Sequence, residues 1–355
     1  MLKVKEIKLT NYRCFQNTVF SFENGINLLV GKNGTGKTSV VEAISYLFSA
    51  RSFRRSREID CILQGERYFS ITGTLENNNK INKTSFYYDI NGKKVSINGE
   101  LVKKLSDFVT KNSLVSFSPD DLLIIKGSPA DRRTFLNNCL SQIDSLYSEN
   151  MNKYQKIVKQ RNEYLKNVDK SNIDFDMLDV FDLKIVEYGS YIIKKREYLI
   201  TYLCKYIQNN MQLVSGNIDN CVIRYCPKTN VEDFAKEIKK RREHDIYLQT
   251  TTVGPHRDDV VFLINDTDAS SFASQGQIRS AVIALKISFY QLLKELNKTI
   301  VIIMDDVLSE LDENRKNNLV KLLNNGEQIF LTCTNTSNIT KEILENCNLI
   351  TIKGD

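Results

Sequence analysis

The apolar positions in the first hundred residues predict strands that alternate with a helix. Residues 2–9 alternate apolar and charged side chains, as a half-buried strand does, and residues 26–30 form a short apolar run that ends at a glycine. Residues 37–48 then carry apolar side chains at helical spacing. Residues 68–98 are rich in aromatic and β-branched side chains, and Asn-Gly turn signals occur at 91–92 and 98–99. That combination is typical of an antiparallel β lobe.

The pattern becomes helical in the middle of the chain and returns to α/β near the end. Residues 130–210 contain no proline, one glycine and long runs of helix formers, which predict a helical insert. We interpret 211–230 as irregular and 231–243 as helical again. Strand patterns resume at 260–264 and 299–304, with a long helix between them. The organisation predicted is one split α/β domain with a mainly helical second domain inserted into it.

The insert gives three segments with predicted bounds of 1–125, 126–244 and 245–355. A length of 355 residues fits two domains, and 41% hydrophobic with 26% charged residues excludes a wholly disordered chain. No run of about 18 apolar residues occurs, and the N-terminus lacks the apolar core of a signal peptide. We expect no membrane span and a cytoplasmic location.

Cysteine usage points to free thiols in a reducing compartment. The eight cysteines are dispersed and form no CxxC pair. Only Cys221 and Cys226 lie close together, whereas a structural zinc site normally needs two well-spaced ligand pairs. The net charge of +6 lies almost entirely between residues 126 and 243. It permits nucleic acid as a partner without requiring it.

One segment after the second predicted strand matches the phosphate-binding pattern G-x-x-x-x-G-K-[ST]. The predicted ATP-binding residues of this loop are Gly31, Lys32, Asn33, Gly34, Thr35, Gly36, Lys37 and Thr38. Its glycines permit positive φ, and its N–H groups with the helix N-terminus would face the phosphates. Lys37 would bind the β- and γ-phosphates, and the Thr38 hydroxyl would ligate Mg²⁺.

A second motif is acidic and follows an apolar strand at residues 300–304. Asp305 and Asp306 come directly after that strand, which is the arrangement of a Walker B motif. Asp305 would hold Mg²⁺, and Asp306 would polarise the attacking water. Lys37, Asp305 and Asp306 are therefore the predicted catalytic residues of an ATPase.

A third segment lies at the start of the helix that follows residue 274. Ser274, Gly276 and Gln277 stand at a predicted helix N-terminus, where free N–H groups face an anion and Ser274 also makes a good cap. Ser274-Gln275-Gly276-Gln277 resembles the signature of ABC-type ATPases, which binds the γ-phosphate of a nucleotide held by the partner subunit. That resemblance implies an ATP-dependent homodimer. Residues 309–312 resemble the D-loop of the same ATPases.

The ordered set of motifs resembles the RecF family of bacterial DNA repair proteins over nearly the whole chain. The set comprises Asn-Tyr-Arg at 11–13, the phosphate loop at 31–38, Phe-Ser-Pro-Asp-Asp-Leu at 117–122, Gly-Pro-His-Arg-Asp-Asp at 254–259, Ala-Ser-Gln-Gly-Gln-Ile-Arg at 273–279 and the acidic motif at 304–312. The fold this implies is an ABC/SMC-type P-loop ATPase head with a short helical second domain.

The resemblance also implies a function. Members bind ATP and Mg²⁺, dimerise on ATP, hydrolyse it weakly with stimulation by DNA, and bind single-stranded and gapped or duplex DNA. With RecO and RecR they help load the RecA recombinase, which supports repair, replication-fork maintenance and the SOS response. Arg13 of the Asn-Tyr-Arg motif joins the predicted ATP-binding residues on this ground.

Two departures from the broader ABC pattern leave alternatives open. No histidine follows the acidic motif, because residues 330–334 offer only threonines, and no glutamine stands near residues 117–122. An SMC-type chromosome or nuclease-partner ATPase is the main alternative, which the short helical arm disfavours. The nucleotide-binding subunit of a membrane transporter and a P-loop scaffold without hydrolysis are the others.

A dense group of arginines follows the phosphate-loop helix. Arg51, Arg54, Arg55 and Arg57 lie within seven residues and suit contacts with a phosphate backbone, although a solvated loop explains them equally well. Lys239–Arg242 form a second basic cluster, for which a solvated helix face is the favoured interpretation. Arg132 and Arg133 fall in the first turn of a predicted helix, where cations are disfavoured.

Overall fold

The structure is a computed structural model that describes residues 2–77, 80–169, 172–308, 316, 319 and 327–353. The predicted D-loop at 309–312 lies outside the described residues. The strands of the structure are β1 Leu2–Tyr12, β2 Phe15–Ser21, β3 Ile26–Val30, β4 Phe69–Asn77, β5 Lys80–Asp89, β6 Gly92–Ile97, β7 Glu100–Leu101, β8 Ser113–Phe117, β9 Cys221–Cys226, β10 Asp259–Ile264, β11 Thr267–Asp268, β12 Ile300–Asp305, β13 Gln328–Cys333 and β14 Cys347–Thr351.

The described helices include short connecting helices and several long ones. They are α1 Lys37–Ser49, α2 Leu105–Lys111, α3 Leu123–Lys126, α4 Pro129–Ile143, α5 Ser145–Asn167, α6 Phe175–Ser215, α7 Phe234–Lys240, α8 Arg242–Leu248, α9 Ala269–Phe272, α10 Gln275–Glu295 and α11 Lys341–Glu345. Short 3-10 helices span Glu58–Cys61, Pro119–Leu122 and Thr336–Asn338. No described helix is long and apolar enough to cross a bilayer.

The chain forms two compact units. The first comprises Met1–Leu122, Asn209–Asp219 and Arg279–Asp355, and the second Leu123–Gln208 and Asn220–Ile278. The second unit therefore extends beyond the predicted bounds of 126–244. The physical reason is that β10 pairs antiparallel with β9 in a three-stranded sheet, so the strand at 259–264 completes the insert instead of rejoining the α/β sheet.

The first unit contains two sheets with α1 in the core between them. A six-stranded antiparallel sheet has the order β2-β1-β4-β5-β6-β7, and a five-stranded parallel sheet has the order β14-β3-β13-β12-β8. Strand β4 alternates buried and less buried residues along most of its length, which matches one face packed on a helix. A Cβ at Gly73 would lie 2.2 Å from a methyl carbon of Leu47, so glycine permits the close approach of α1.

The second unit is mainly helical, as the sequence predicts, with α4, α5 and α6 as its long elements. Gly189 stands inside α6, where a Cβ would meet the Phe234 ring at 2.6 Å and the Tyr154 ring at 3.1 Å. The single glycine between residues 130 and 210 thus allows two aromatic rings to pack on the helix. The interpretation of 211–230 as irregular is wrong, since α6 continues to Ser215 and β9 spans Cys221–Cys226.

Candidate functional site

The phosphate loop is a glycine-dependent turn between β3 and α1. Gly34 and Gly36 have φ of 83° and 96°, the left-handed region that favours glycine. A Cβ at Gly36 would lie 2.6 Å from the Phe15 ring and 2.9 Å from the Cys14 sulfur, so space as well as φ requires glycine. The turn leaves the first N–H groups of α1 facing an open cavity of about 570 Å³. A helix N-terminus of this kind binds phosphate.

The Lys37 ammonium is folded back over the loop. Its Nζ donates hydrogen bonds to the carbonyl oxygens of Gly31 at 2.7 Å and Lys32 at 2.8 Å. The side chain is buried and also lines the cavity. These contacts hold a compact positive charge beside the free N–H groups of the loop, where an anionic phosphate is stabilised.

Asp305 forms a cluster of hard oxygen atoms with two threonines. The hydroxyls of Thr38 and Thr332 donate to the same carboxylate oxygen, Oδ1, at 2.7 and 2.8 Å. Burial raises the pKa of the Asp305 carboxyl against these hydrogen bonds. The Thr38 hydroxyl and one carboxylate fit Mg²⁺, which prefers oxygen ligands and is usually held by few protein groups together with substrate phosphates. Within the described ranges, no cluster of three His, Cys, Asp or Glu side chains forms a metal cage.

Asp306 turns away from the strand direction immediately after Asp305. Its φ is 53°, and its N–H donates to Thr332 Oγ1 at 2.9 Å. The Asp306 side chain lines the same cavity as Lys37 and Thr38. The two neighbouring carboxylates are therefore presented differently, one to the threonine cluster and one to the cavity.

Thr332 is the functional candidate that sequence reasoning missed. Strand β13 lies between β3 and β12, and in their register Thr332 pairs with Leu29 on one side and with Asp305 on the other. From the sequence, residues 330–334 stand out only because no histidine occurs there. The signal that could have identified Thr332 is its hydroxyl, which can both donate and accept a hydrogen bond.

Arg13 lines the cavity, but its guanidinium is held by the carboxylate of Glu42. Nε and Nη2 donate to the two Glu42 oxygens at 2.9 and 2.7 Å, and further bonds reach Ser56 Oγ and the Asp60 carbonyl. Burial opposes the charge on Glu42, yet the hydrogen bonds from Arg13 and Ser52 keep its pKa below the ordinary value. This network fixes the loop after α1. The role of Arg13 in ATP binding stays a prediction.

The four arginines of that loop do not share one environment. Arg54 lines the cavity with Lys37 and Asp306, and its charge acts on the Asp305 carboxyl. Arg57 is 79% exposed and pairs with Asp60 at 2.9 Å. Arg51 is partly buried and Arg55 is exposed. The structure thus places one of the predicted DNA contacts, Arg54, at the phosphate loop, while DNA binding by all four stays a prediction.

The signature segment lies in the second unit at the start of α10. Ser274 Oγ accepts the Gln277 N–H at 3.2 Å, and Gln277 Oε1 accepts the Ser274 N–H at 3.0 Å. This reciprocal pair is a capping box. Ser274 is exposed, and a Cβ at Gly276 would have no heavy atom nearer than 4.0 Å, so the helix start is open. Phe272, just before it, is 77% exposed.

Comparisons with known proteins agree on one family. The family model described as "RecF/RecN/SMC N terminal domain" matches residues 3–353. The protein "DNA replication and repair protein RecF" of Agathobacter rectalis is 37% identical over 340 residues, which cover 95% of this chain and 94% of that one. The protein of the same name from Bacillus cytotoxicus is 33% identical over 362 residues, covering 99% and 97%.

Solved structures give the same relationship. The recombination mediator protein RecF with ATP, described as part of the RecFOR pathway, superposes with a TM-score of 0.89 at 34% identity and covers 96% of this chain and 94% of that one. The Smc head domain of Pyrococcus furiosus with an extended coiled coil has a TM-score of 0.55 at 14% identity, over 95% and 92% of the two chains. The second likeness shows the fold alone. Together they confirm the predicted fold class of an ABC/SMC-type ATPase head.

Proposed function

Because this chain belongs to the RecF family of DNA replication and repair proteins, we propose that it is an ATP-switched DNA-binding protein of recombinational repair. The observation that carries the proposal is the convergence of Lys37, Thr38, Asp305 and Asp306 on the phosphate loop. A relative of nearly the same length is solved with ATP. ATP is therefore the nucleotide we assign to the cavity.

The residues of the cavity have separate roles in slow ATP hydrolysis. Loop N–H groups and Lys37 bind the phosphates and neutralise their charge. Thr38 and Asp305 would hold Mg²⁺, which when bound neutralises charge on the β- and γ-phosphates. Asp306 orients the attacking water. Arg54 adds a guanidinium to the same cavity and contacts phosphate oxygens there.

We assign the signature residues to a nucleotide held by a second copy of the chain. Ser274 and Gly276 form an open helix start, where an anion is favoured by the helix N-terminus, and the exposed Phe272 beside them supplies apolar area for a partner. Dimerisation then depends on ATP, and weak hydrolysis ends it. In the cell the dimer binds single-stranded, gapped or duplex DNA and helps load RecA with RecO and RecR. The SMC-type alternative has in its favour the shared head fold and a family model that also covers SMC proteins.

The test is DNA affinity with and without ATP, measured by fluorescence anisotropy on single-stranded, duplex and gapped DNA. The wild type should bind at least one form more tightly with ATP. Lys37→Met should lose ATP binding and the ATP-dependent gain, whereas Lys80→Met, an exposed lysine of the β lobe, should keep both. Equal DNA affinity with and without ATP would contradict ATP-dependent DNA binding. Absence of DNA binding would contradict DNA as the partner.

A further inference from the structure

Two arginines of the second unit, Arg133 and Arg257, have no part in the proposed nucleotide chemistry. Arg133 is the fifth residue of α4, and Arg257 lies in the Gly-Pro-His-Arg-Asp-Asp segment that leads into β10. Helix α4 begins with a capping box between Ser128 and Asp131. Arg132, the fourth residue of α4, lies at the end of the first turn, where the helix dipole disfavours a cation.

The neighbouring cation, Arg132, is explained by an ion pair. Its Nε and Nη2 donate to the two carboxylate oxygens of Asp259 at 2.6 and 3.0 Å. Nη1 donates to the Gly127 carbonyl at 3.0 Å. Such a bidentate pair neutralises the guanidinium and joins the start of α4 to β10.

Arg133 and Arg257 contact neutral oxygen atoms instead. Arg133 Nη1 donates to the Asp258 carbonyl oxygen at 2.8 Å. Arg257 donates from Nε and Nη2 to the Thr251 carbonyl oxygen at 3.2 and 3.1 Å, and from Nη2 to Thr250 Oγ1 at 3.3 Å. In the part of the chain that the structure describes, no carboxylate forms an ion pair with either guanidinium. Both guanidinium groups are therefore held in place by neutral oxygen atoms and not by a direct ion pair.

The acids of this region are already engaged. The Asp258 carboxylate is buried and accepts from the Tyr225 hydroxyl and the Lys228 N–H, with Arg196 at 3.6 Å. Asp245 accepts from Arg161 at 2.8 Å. Burial, together with the charges of Arg196 and Arg257, lowers the pKa of Arg133 against the opposing charges of Asp258 and Asp259. The two arginines thus face like charge, a cost that a bound anion would offset.

The backbone that carries Arg257 is rigidly held. His256 Nδ1 shares a hydrogen bond of 2.6 Å with the Tyr154 hydroxyl, and Nε2 lies 3.0 Å from the Thr251 carbonyl oxygen. Arg196 donates to the Pro255 carbonyl at 2.6 Å. Gly254 has φ of 125°, and a Cβ there would lie 2.4 Å from the Tyr154 hydroxyl oxygen. A charge held this way loses little conformational entropy on binding.

We propose that Arg133 and Arg257 together form a binding site for a phosphodiester group of the DNA backbone. Guanidinium groups match phosphate oxygens in charge and hydrogen-bond geometry, and each arginine keeps N–H groups that no described residue accepts. Arg257 is exposed and Arg133 is half-buried, so both are accessible. The inference rests on the proposed DNA binding and assigns part of it to a place in the second unit. It also gives the Gly-Pro-His-Arg-Asp-Asp segment a role.

The experiment measures DNA affinity with ATP over a series of salt concentrations, for wild type, Arg133→Gln, Arg257→Gln and the double variant. Each phosphate contact contributes about 0.9 to the slope of log affinity against log salt on duplex DNA. We expect each single variant to reduce the slope by about one and the double variant by about two. Lys159→Gln, an exposed helical lysine of the same unit, is the charge-matched control. Double substitution by lysine should keep the slope.

The outcomes separate this site from the proposed function. If the wild type binds DNA and the folded double variant keeps the wild-type slope, the site is wrong and the function stands. If the wild type binds no DNA, both are overturned. Should one glutamine variant unfold, the other single variant decides, since a folded single variant with the wild-type slope excludes a phosphate contact at that arginine. ATP binding should be unchanged in every variant.

Discussion

Thr332 and Asp305 are joined by a hydrogen bond of 2.8 Å from the threonine hydroxyl to Oδ1, the same oxygen that Thr38 contacts. The same hydroxyl accepts the N–H of Asp306. One side chain therefore fixes the ligand oxygen of Asp305 and the direction in which Asp306 leaves the strand. This arrangement follows from the sheet order, in which β13 separates the phosphate-loop strand from the acidic strand.

We expect Thr332→Val to weaken the Mg²⁺ binding that supports ATP hydrolysis, because valine keeps the shape and loses both hydrogen bonds. Groups that orient a metal ligand typically contribute 10- to 100-fold in metal affinity. The Mg²⁺ concentration for half-maximal hydrolysis should rise about tenfold or more, whereas Thr332→Ser should stay within about twofold. The measurement is ATPase rate against Mg²⁺ at saturating ATP.

Thr334→Val is the matched control, because Thr334 lines the same cavity two residues further on. It should leave the Mg²⁺ requirement unchanged. An unchanged requirement in Thr332→Val, with normal folding, would show that Thr332 only packs.

The two adjacent aspartates should separate binding from hydrolysis. Asp306→Asn keeps the threonine cluster, so ATP binding should persist while the rate falls about 10²- to 10⁴-fold, the range for a lost general base. Asp305→Asn should instead raise the Mg²⁺ requirement. Single-turnover hydrolysis alongside equilibrium binding of a labelled nucleotide distinguishes them. Equal effects of the two changes on Mg²⁺ dependence would contradict this division.

The phosphate loop and the acidic motif are predictable from sequence because each is a local strand-to-loop pattern. Thr332 is not, because its partner Asp305 lies 27 positions away and only the sheet order brings them together. The pairing of β9 with β10 is likewise non-local, so the continuation of the second unit past residue 245 is not predictable from the sequence. Within the arginine loop, the positive φ of 59° at Arg55 separates the environments of Arg54 and Arg57, which composition does not reveal.

Substitution within the arginine loop should reveal two classes of effect. Arg54→Gln removes a charge from the phosphate cavity, so we expect nucleotide affinity or hydrolysis to fall about tenfold, as for a lost contact with a charged group. Arg57→Gln removes an exposed charge paired with Asp60 and should leave ATP hydrolysis unchanged. ATPase kinetics without DNA measure both. A loss in Arg57→Gln equal to that in Arg54→Gln would contradict the assignment.

The open start of α10 makes Ser274→Arg a test of binding in trans. A long cation at this exposed cap should block approach of a partner subunit, so light scattering with ATP should report a monomer that still binds one ATP per chain. Asn152→Arg, on an exposed face of α5, is the control and should dimerise as the wild type does. ATP-dependent dimers of Ser274→Arg at wild-type affinity would rule out the signature role.

Acid stability of the second unit should depend on His256. Burial lowers the pKa of this imidazole to about 4, below the unfolded value of about 6.5. The unfolded chain therefore takes up the proton first as the pH falls. The stability that neutral His256 contributes is fully present above about pH 6.5. It is lost progressively between about pH 6.5 and about pH 4, and the loss is up to about 3 kcal/mol.

His256→Gln removes this titration while its amide retains hydrogen-bonding groups for Tyr154 and the Thr251 carbonyl. Urea unfolding of both proteins at pH 7.5 and pH 4.5 gives the difference that isolates His256, because the buried Asp258, whose raised pKa acts in the opposite direction, is common to both. The variant should be less stable than the wild type at pH 7.5 and should lose less stability on acidification. Equal losses in the two proteins would show that His256 titrates normally and that another group causes the acid sensitivity.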